Sequence, residues 1–299
     1  MPVSQLTLIF AFLAMAFWGV GDFLIQRIVK RVGDFQTLLW IDLIAGFFLI
    51  PFVASDLPAI LTWPNVLSLM VMTVIYLWYG IFLFKAYNKG KLAVVEVIMI
   101  GELPFTIILG LIFFREKLDL SQVLVILLII SGTLLISKSR MTWWDRIKDF
   151  FTGKRVVWEK GVLLATVAVV FSALYNFLTA VNSRNISAFI AVWFPWMLSS
   201  LFLLTYIVYK KGLKSFWQTS LNYKYLILFT GIIDTAAWVF YAFATENGKI
   251  SVVTTIVTGY AVIALILGVK FNKERISGWQ YLGAILVFFG VAIMSFIGK

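Results

Sequence analysis

Long apolar runs alternate with short polar breaks along the whole chain. A hydrocarbon core of about 30 Å needs roughly 20 apolar residues per helix. Ten stretches meet or approach that length, at about 6–26, 36–53, 64–84, 92–114, 120–137, 161–181, 188–209, 223–244, 250–270 and 278–297. The breaks carry turn chemistry or charge, as at Val32-Gly33-Asp34, Ser55-Asp56-Leu57-Pro58, Asn88-Lys89-Gly90-Lys91 and Asn247-Gly248-Lys249. No gap exceeds the central one, roughly 138–160, so no soluble domain is expected. In that gap Trp143, Ile147, Phe150 and Phe151 are spaced i, i+4, i+7, i+8 among Arg140, Arg146, Lys148, Lys154 and Arg155. The spacing predicts a short basic amphipathic helix in the headgroup plane, tethering two halves. Ala14-Met15-Ala16 resembles a cleavage site, but no basic segment precedes it and the apolar run continues, so the first helix is expected to be retained.

Composition agrees: 62% of the 299 residues are apolar and 13% charged, against about 25% charged in a soluble domain. With no cysteine and no histidine, disulfides, thiol nucleophiles, Cys/His metal sites and Ser-His-Asp triads are excluded. The net charge of +11 could in a soluble protein indicate nucleic acid. Here the basic residues lie in short loops, so membrane-surface anchoring is expected and nucleic acid is not. The loops after helices 1, 3, 5, 7 and 9 hold 20 of the 25 Lys and Arg. The positive-inside rule then puts those loops in the cytoplasm and both termini outside, in a multi-pass protein of the cell membrane.

A shift of 158 residues lays the second half over the first. Ala86, Gly90, Lys91, Val94, Val95, Gly101, Leu109, Gly110, Glu116, Gln122, Leu124 and Gly132 fall on Ala244, Gly248, Lys249, Val252, Val253, Gly259, Leu267, Gly268, Glu274, Gln280, Leu282 and Gly290. Paired Gly, Lys, Glu and Gln positions are hard to obtain by chance in an apolar chain. Each repeat has five helices, and an odd number sends the second copy in from the opposite face. The expected fold is therefore an all-α integral membrane protein of ten transmembrane helices in two inverted five-helix repeats, 1–137 and 161–299. Inverted repeats build many alternating-access transporters around a midplane site.

The whole chain resembles the drug/metabolite transporter superfamily in its ten-helix EamA-type branch. The residues that carry the resemblance are Ala16-Phe17-Trp18-Gly19, Phe113-Phe114-Arg115-Glu116-Lys117 and Ile130-Ser131-Gly132-Thr133. In the second half they are Phe271-Asn272-Lys273-Glu274-Arg275 and Phe289-Gly290-Val291. The resemblance implies a multi-pass carrier, commonly an exporter of amino acids, metabolites or drugs, with a cavity lined mainly by helices 1, 3, 4, 6, 8 and 9. Substrate does not transfer with a fold. Glu96 and Glu102 depart from the pattern, and their repeat partners are Thr254 and Tyr260.

Candidate chemistry lies in the acids. Asp42, Glu102 and Asp234 sit deep in helices 2, 4 and 8, and Glu96 about one turn inside helix 4. Facing lipid, the three deep acids would cost about 8–10 kcal/mol on insertion scales, so they are expected to face the bundle interior or water. Two roles are open to each: proton coupling or cation binding, since burial favours the protonated carboxyl, or a structural hydrogen bond. Asp22, with Gln26 and Arg27 close behind, reads as part of a local polar cluster. Aromatic stripes flank the acids: Trp18 one turn from Asp22, Trp238 and Tyr241 following Asp234, Tyr76 and Tyr79 in helix 3, and Tyr175, Thr179 and Asn182 with Asn176 in helix 6. Trp18, Tyr79, Tyr175, Asn176, Trp238 and Tyr260 are candidate cavity residues, suited to organic cations or amino acids. Trp63, Trp158 and Trp279, at helix ends, read as interface-belt residues. Pro104 is expected to kink helix 4 beside Glu102. Gly132 and Gly290 read as helix-packing sites, and Glu116 and Glu274 as capping or ion-pairing groups.

The expected function is a secondary carrier of small organic molecules, and export is the expected direction. No P-loop is present, so the substrate gradient or protons would drive it, and no cofactor is expected. A membrane-embedded enzyme would have to use Glu96 and Glu102, which lie about 120° apart around a helix. A channel would want a continuous polar stripe, and none is evident. A monomer suffices for a carrier of this size.

Overall fold

The computed structural model describes residues 5–136, 160–211, 213–273 and 277–298. The basic linker, with Trp143, Ile147, Phe150, Phe151 and Trp158, lies outside them, as does Glu274. Every regular element among the described residues is helical: α1 (Gln5–Val32), α2 (Asp34–Val53), α3 (Leu57–Ile60), α4 (Trp63–Lys89), α5 (Leu92–Met99), α6 (Glu102–Phe113), α7 (Leu120–Ile136), α8 (Lys160–Asn185), α9 (Ala188–Lys211), α10 (Leu213–Leu221), α11 (Lys224–Asn247), α12 (Ile250–Val257), α13 (Tyr260–Asn272) and α14 (Gly278–Ile297). Among the described residues eight helical stretches are long and apolar enough to cross a bilayer, one of them formed by α12 and α13 together; α6 and α7 are shorter.

The outer surface is what lipid requires. Phe47, Phe48, Ile112, Phe113, Leu134, Phe288 and Phe296 are among many large apolar side chains left exposed, while the backbone closes its hydrogen bonds within helices. Between helices large apolar side chains fill the core, and at some contacts small residues bring backbones together. A Cβ on Gly132 would lie 2.9 Å from the Gly283 carbonyl oxygen and 2.9 Å from Leu286 Cβ. This is how α7 and α14 pack as a pair at the edge of the bundle.

The helix pairings are two-fold. α1 packs on α11 as α8 packs on α4, and α2 meets α11 as α9 meets α4. The pairs α7–α14 and α2–α9 are their own counterparts. Exchanging the halves carries each of these pairings onto another of them or onto itself.

Local backbone obeys the same 158-residue relation. Gly90 and Gly248 both end a helix in extended conformation, each donating its N–H to an alanine carbonyl, Ala86 or Ala244. Arg115 and Lys273 both take positive φ, 52° and 56°. The fourth and ninth apolar stretches both break into two helices. The break falls at Ile100-Gly101 and at Thr258-Gly259, where Gly101 and Gly259 donate to carbonyls three residues back, Ile98 and Ile256.

That finding corrects the expectation for Pro104. The interruption lies upstream of it, and its counterpart has no proline nearby. Pro104 falls in the first turn of α6, where a missing N–H removes no helical bond. Two helices went unread in the sequence, α3 and the amphipathic α10.

Candidate functional site

A narrow cavity, with about 30 Å³ of free space, opens where α1, α4, α6, α8 and α11 converge on the helix break before α13. Its walls bring together Trp18, Asp22, Tyr76, Tyr79, Glu102, Ser172, Asn176, Asp234, Trp238 and Tyr260. These positions are repeat-related: Trp18 with Asn176, Tyr76 with Asp234, and Glu102 with Tyr260 are each 158 apart. The cavity therefore straddles the junction of the halves, and the paired positions carry different chemistry.

Glu102 is the first residue of α6, delivered to the cavity by the break at Ile100-Gly101. The Ser172 hydroxyl donates to it, and Asn176 adjoins it. The Asn176 side-chain oxygen is buried without a hydrogen-bond partner among the described residues. Asp234 comes from the middle of α11 and is 6% exposed. It makes no hydrogen bond with any described residue. It sits beside Gly21 of α1, where a Cβ would stand 3.9 Å from Asp234 Oδ1, an ordinary contact distance. Asp22 completes a set of three carboxylates, with Tyr87 beside it. Among the described residues no Lys or Arg lines the cavity.

Aromatic rings form the rest of the wall in one connected stack. Trp18 meets Trp238 edge-on with centroids 4.7 Å apart, and Tyr260 at 6.2 Å. Tyr79 contacts Trp238 at 6.1 Å. Tyr175 stands behind the wall rather than in it. It packs on Trp238 at 4.6 Å and Tyr76 at 5.0 Å, and its hydroxyl accepts from the Trp196 indole at 2.8 Å. Its position in the second layer corrects its placement among the lining residues.

Two candidate acids are also set apart from the cavity. Asp42 is fully buried between helices, where one oxygen accepts from the Tyr76 hydroxyl at 2.5 Å and the other from the Ser199 hydroxyl. It ties α2 to α4 and α9. Glu96 accepts from the Tyr87 hydroxyl at 2.7 Å and so orients a ring that does reach the cavity. Asp22 is the reverse correction. It lines the cavity instead of joining a local cluster, because Gln26 turns to the Gly90 carbonyl at 3.4 Å and Arg27 lies over the Phe23 ring at 4.4 Å. The i, i+4 spacing of Trp18 and Asp22 was the usable signal.

The cavity is one-sided. Ile25, Leu38, Leu83, Phe84, Tyr87 and Met99 continue it toward the face where α1 and α4 end and α2 begins. Leu83, Phe84 and Tyr87 are buried yet line it, whereas their repeat partners Tyr241, Ala242 and Thr245 are fully buried and line no part of it. On that opposite face Tyr241 shares a hydrogen bond with Thr254 at 3.1 Å. Beyond it Glu116 accepts from the first N–H groups of α12, Ile250 at 2.6 Å and Ser251 at 3.1 Å. Arg184 pairs with Glu116 at 3.7 Å and donates to the carbonyls of Thr245 at 2.8 Å and Gly248 at 2.6 Å. One clasp thus joins the ends of α8 and α11 to the start of α12.

The EamA-like transporter family model matches residues 5–138 and 159–296, once over each half. The chain belongs to the EamA-like transporter family. It is a multi-pass membrane protein of that class. An uncharacterized protein of Methanocaldococcus jannaschii is 26% identical over 133 residues, 44% of this chain and 96% of its own; the aligned length is about that of one repeat. A solved crystal structure matches 98% of this chain and 97% of its own with a TM-score of 0.70 at 16% identity. At that identity the likeness is one of fold.

Proposed function

We propose that this EamA-like protein is a secondary carrier that exports small organic cations across the cell membrane by alternating access of two inverted five-helix halves. The observation that carries the reading is the lining of the cavity: three carboxylates, a wall of aromatic rings and no basic side chain. A protonated amine gains charge-assisted hydrogen bonds to carboxylates and cation–π attraction to indole and phenol rings. A zwitterionic amino acid would bring its own carboxylate into the same acidic space. The helix break beside Tyr260 offers it little, because Gly259, Ala261 and Val262 all donate to backbone carbonyls. Amines are therefore favoured over amino acids.

Alternating access is supported by the one-sided cavity in a two-fold scaffold. Of the two repeat-related routes to the midplane, one is lined by the cavity and the other is filled and clasped. The basic loops lie on the cavity's side, which the positive-inside rule makes cytoplasmic; a solute loaded there leaves outward. With no P-loop in the chain, the proton gradient is the proposed energy source, and Glu102 and Asp234 are the proposed coupling acids. An enzymatic reading is disfavoured because Glu96 and Glu102 do not share a space. A channel is disfavoured by the filled face.

The test is flux in proteoliposomes with and without a pH gradient. A radiolabelled primary or quaternary amine is expected to show saturable, gradient-stimulated counterflow, at least about tenfold weaker in Glu102→Gln and Asp234→Asn. Gradient-driven flux undiminished in both variants would remove the coupling assignment. Transport of neutral analogues as fast as amines would remove the cation reading.

A further inference from the structure

A second cavity, unrelated to the first, lies on the flank of the molecule. It offers about 280 Å³ between α2, α10 and the start of α11, and Trp40, Ile44, Trp217, Leu221, Ile227 and Leu228 give it apolar walls. The amphipathic α10 forms its roof. Phe216 stacks on Trp40 with centroids 5.1 Å apart and planes 9° from parallel, and the Trp40 indole donates to the Ser220 hydroxyl at 2.6 Å. Those contacts anchor one face of α10, while Trp217 and Leu221 on the other stay 55% and 48% exposed. The inner end is shut by Ile44 against Gly231, where a Cβ would come within 2.6 Å of Ile44 Cδ1.

The mouth of this slot is basic. Lys224 lines it, and Arg31 lies over the ring of the adjacent Tyr223 at 5.3 Å. Both cations are exposed, and neither forms an ion pair among the described residues. Tyr225, Leu228 and Phe229 beside them are exposed apolar groups of the kind that face lipid. An apolar slot entered from the bilayer, with unpaired cations at headgroup depth on the basic face, matches one ligand chemistry: an acyl chain carrying an anionic head.

We infer that the slot between α2, α10 and α11 is a binding site for an anionic phospholipid of the basic-face leaflet, its acyl chain against Trp40, Ile44 and Ile227 and its phosphate at Lys224 and Arg31. Neither cation touches the transport cavity, so the site is independent of the substrate reading.

Native mass spectrometry of the full-length protein tests this, with phosphatidylglycerol and phosphatidylcholine of identical chains added to the detergent-purified protein. The wild type is expected to retain one phosphatidylglycerol in preference to phosphatidylcholine, by about fivefold for each basic contact. Lys224→Gln with Arg31→Gln should abolish that preference while leaving acyl-chain binding. Ile227→Trp should displace both lipids, and Leu228→Trp, nearer the rim, serves if the first variant folds poorly. Equal retention of the two lipids by the wild type, or a preference unchanged in the double Gln variant, would overturn the assignment.

Discussion

At the residue scale, two deep acids that look alike in sequence are told apart by what other helices bring to them. Asp42 and Asp234 both sit mid-helix among apolar neighbours. Asp42 is satisfied by Tyr76, 34 positions away, and by Ser199, 157 away; Asp234 faces the cavity with no such partner. Sequence spacing within one helix carries no information about those hydroxyls, which is why a structural and a coupling role stayed open for both. Removing the carboxyl in Asp42→Ala leaves the Tyr76 hydroxyl buried without an acceptor. That should cost about 1–3 kcal/mol, read as a lowered unfolding temperature in detergent, with amine binding retained. In Asp42→Asn the Ser199 hydroxyl can turn to the Trp196 carbonyl, 3.1 Å away, and accept from the new amide. Asp42→Asn should therefore stay near wild-type stability, and equal losses in both variants would contradict the tie.

At the scale of elements, long apolar runs were legible because they are all that a bilayer permits, and the repeat was legible through its paired Gly, Glu and Gln. The helix breaks were not. Gly101 and Gly259 keep φ, ψ close to helical values, −56°, −16° and −58°, −14°, so the break is a local shift of hydrogen-bond register rather than a residue that forbids helix. Pro104 drew attention for its chemistry while the cause lay three residues earlier. Gly132 shows what a packing glycine costs to change. In Gly132→Val the Cβ would press on the Gly283 carbonyl, a backbone group that cannot swing aside, so α7 and α14 must separate. A loss of about 1–3 kcal/mol is expected from overpacking, measured by thermal unfolding, with substrate affinity unaltered.

The clasp at Glu116 is likewise an element-level device. It caps α12 with a carboxylate and ties it to Arg184, which in turn binds the end of α11. Glu116→Gln removes the ion pair and weakens the bonds to two N–H groups. The protein should then shift toward opening the filled face. A cysteine introduced at Thr245 should react with a small maleimide several-fold faster in the Glu116→Gln background, consistent with the 1–3 kcal/mol typical of a conformational bias. An unchanged rate would mean the clasp does not hold the face shut.

At the scale of the whole molecule, the two halves share a backbone plan and differ in side chains where they meet. Trp18 corresponds to Asn176, Tyr76 to Asp234 and Glu102 to Tyr260, so a two-fold backbone carries a site that is not itself symmetric. The two-repeat scaffold could be read from the sequence because the 158-residue relation sets it. Which aromatics form the wall could not, since aromatics are 17% of the chain and most serve packing or the lipid face. The absence of native cysteine makes the most direct test clean. Cysteines are placed singly at Phe84, on the side the cavity lines, and at its repeat partner Ala242, on the filled one, and labelled in proteoliposomes with a membrane-impermeant maleimide. Alternating access predicts that Phe84→Cys reacts and Ala242→Cys is protected without substrate, and that a saturating amine with a pH gradient slows the first while speeding the second. Both sites reactive at once, or rates that do not move in opposite directions, would contradict it.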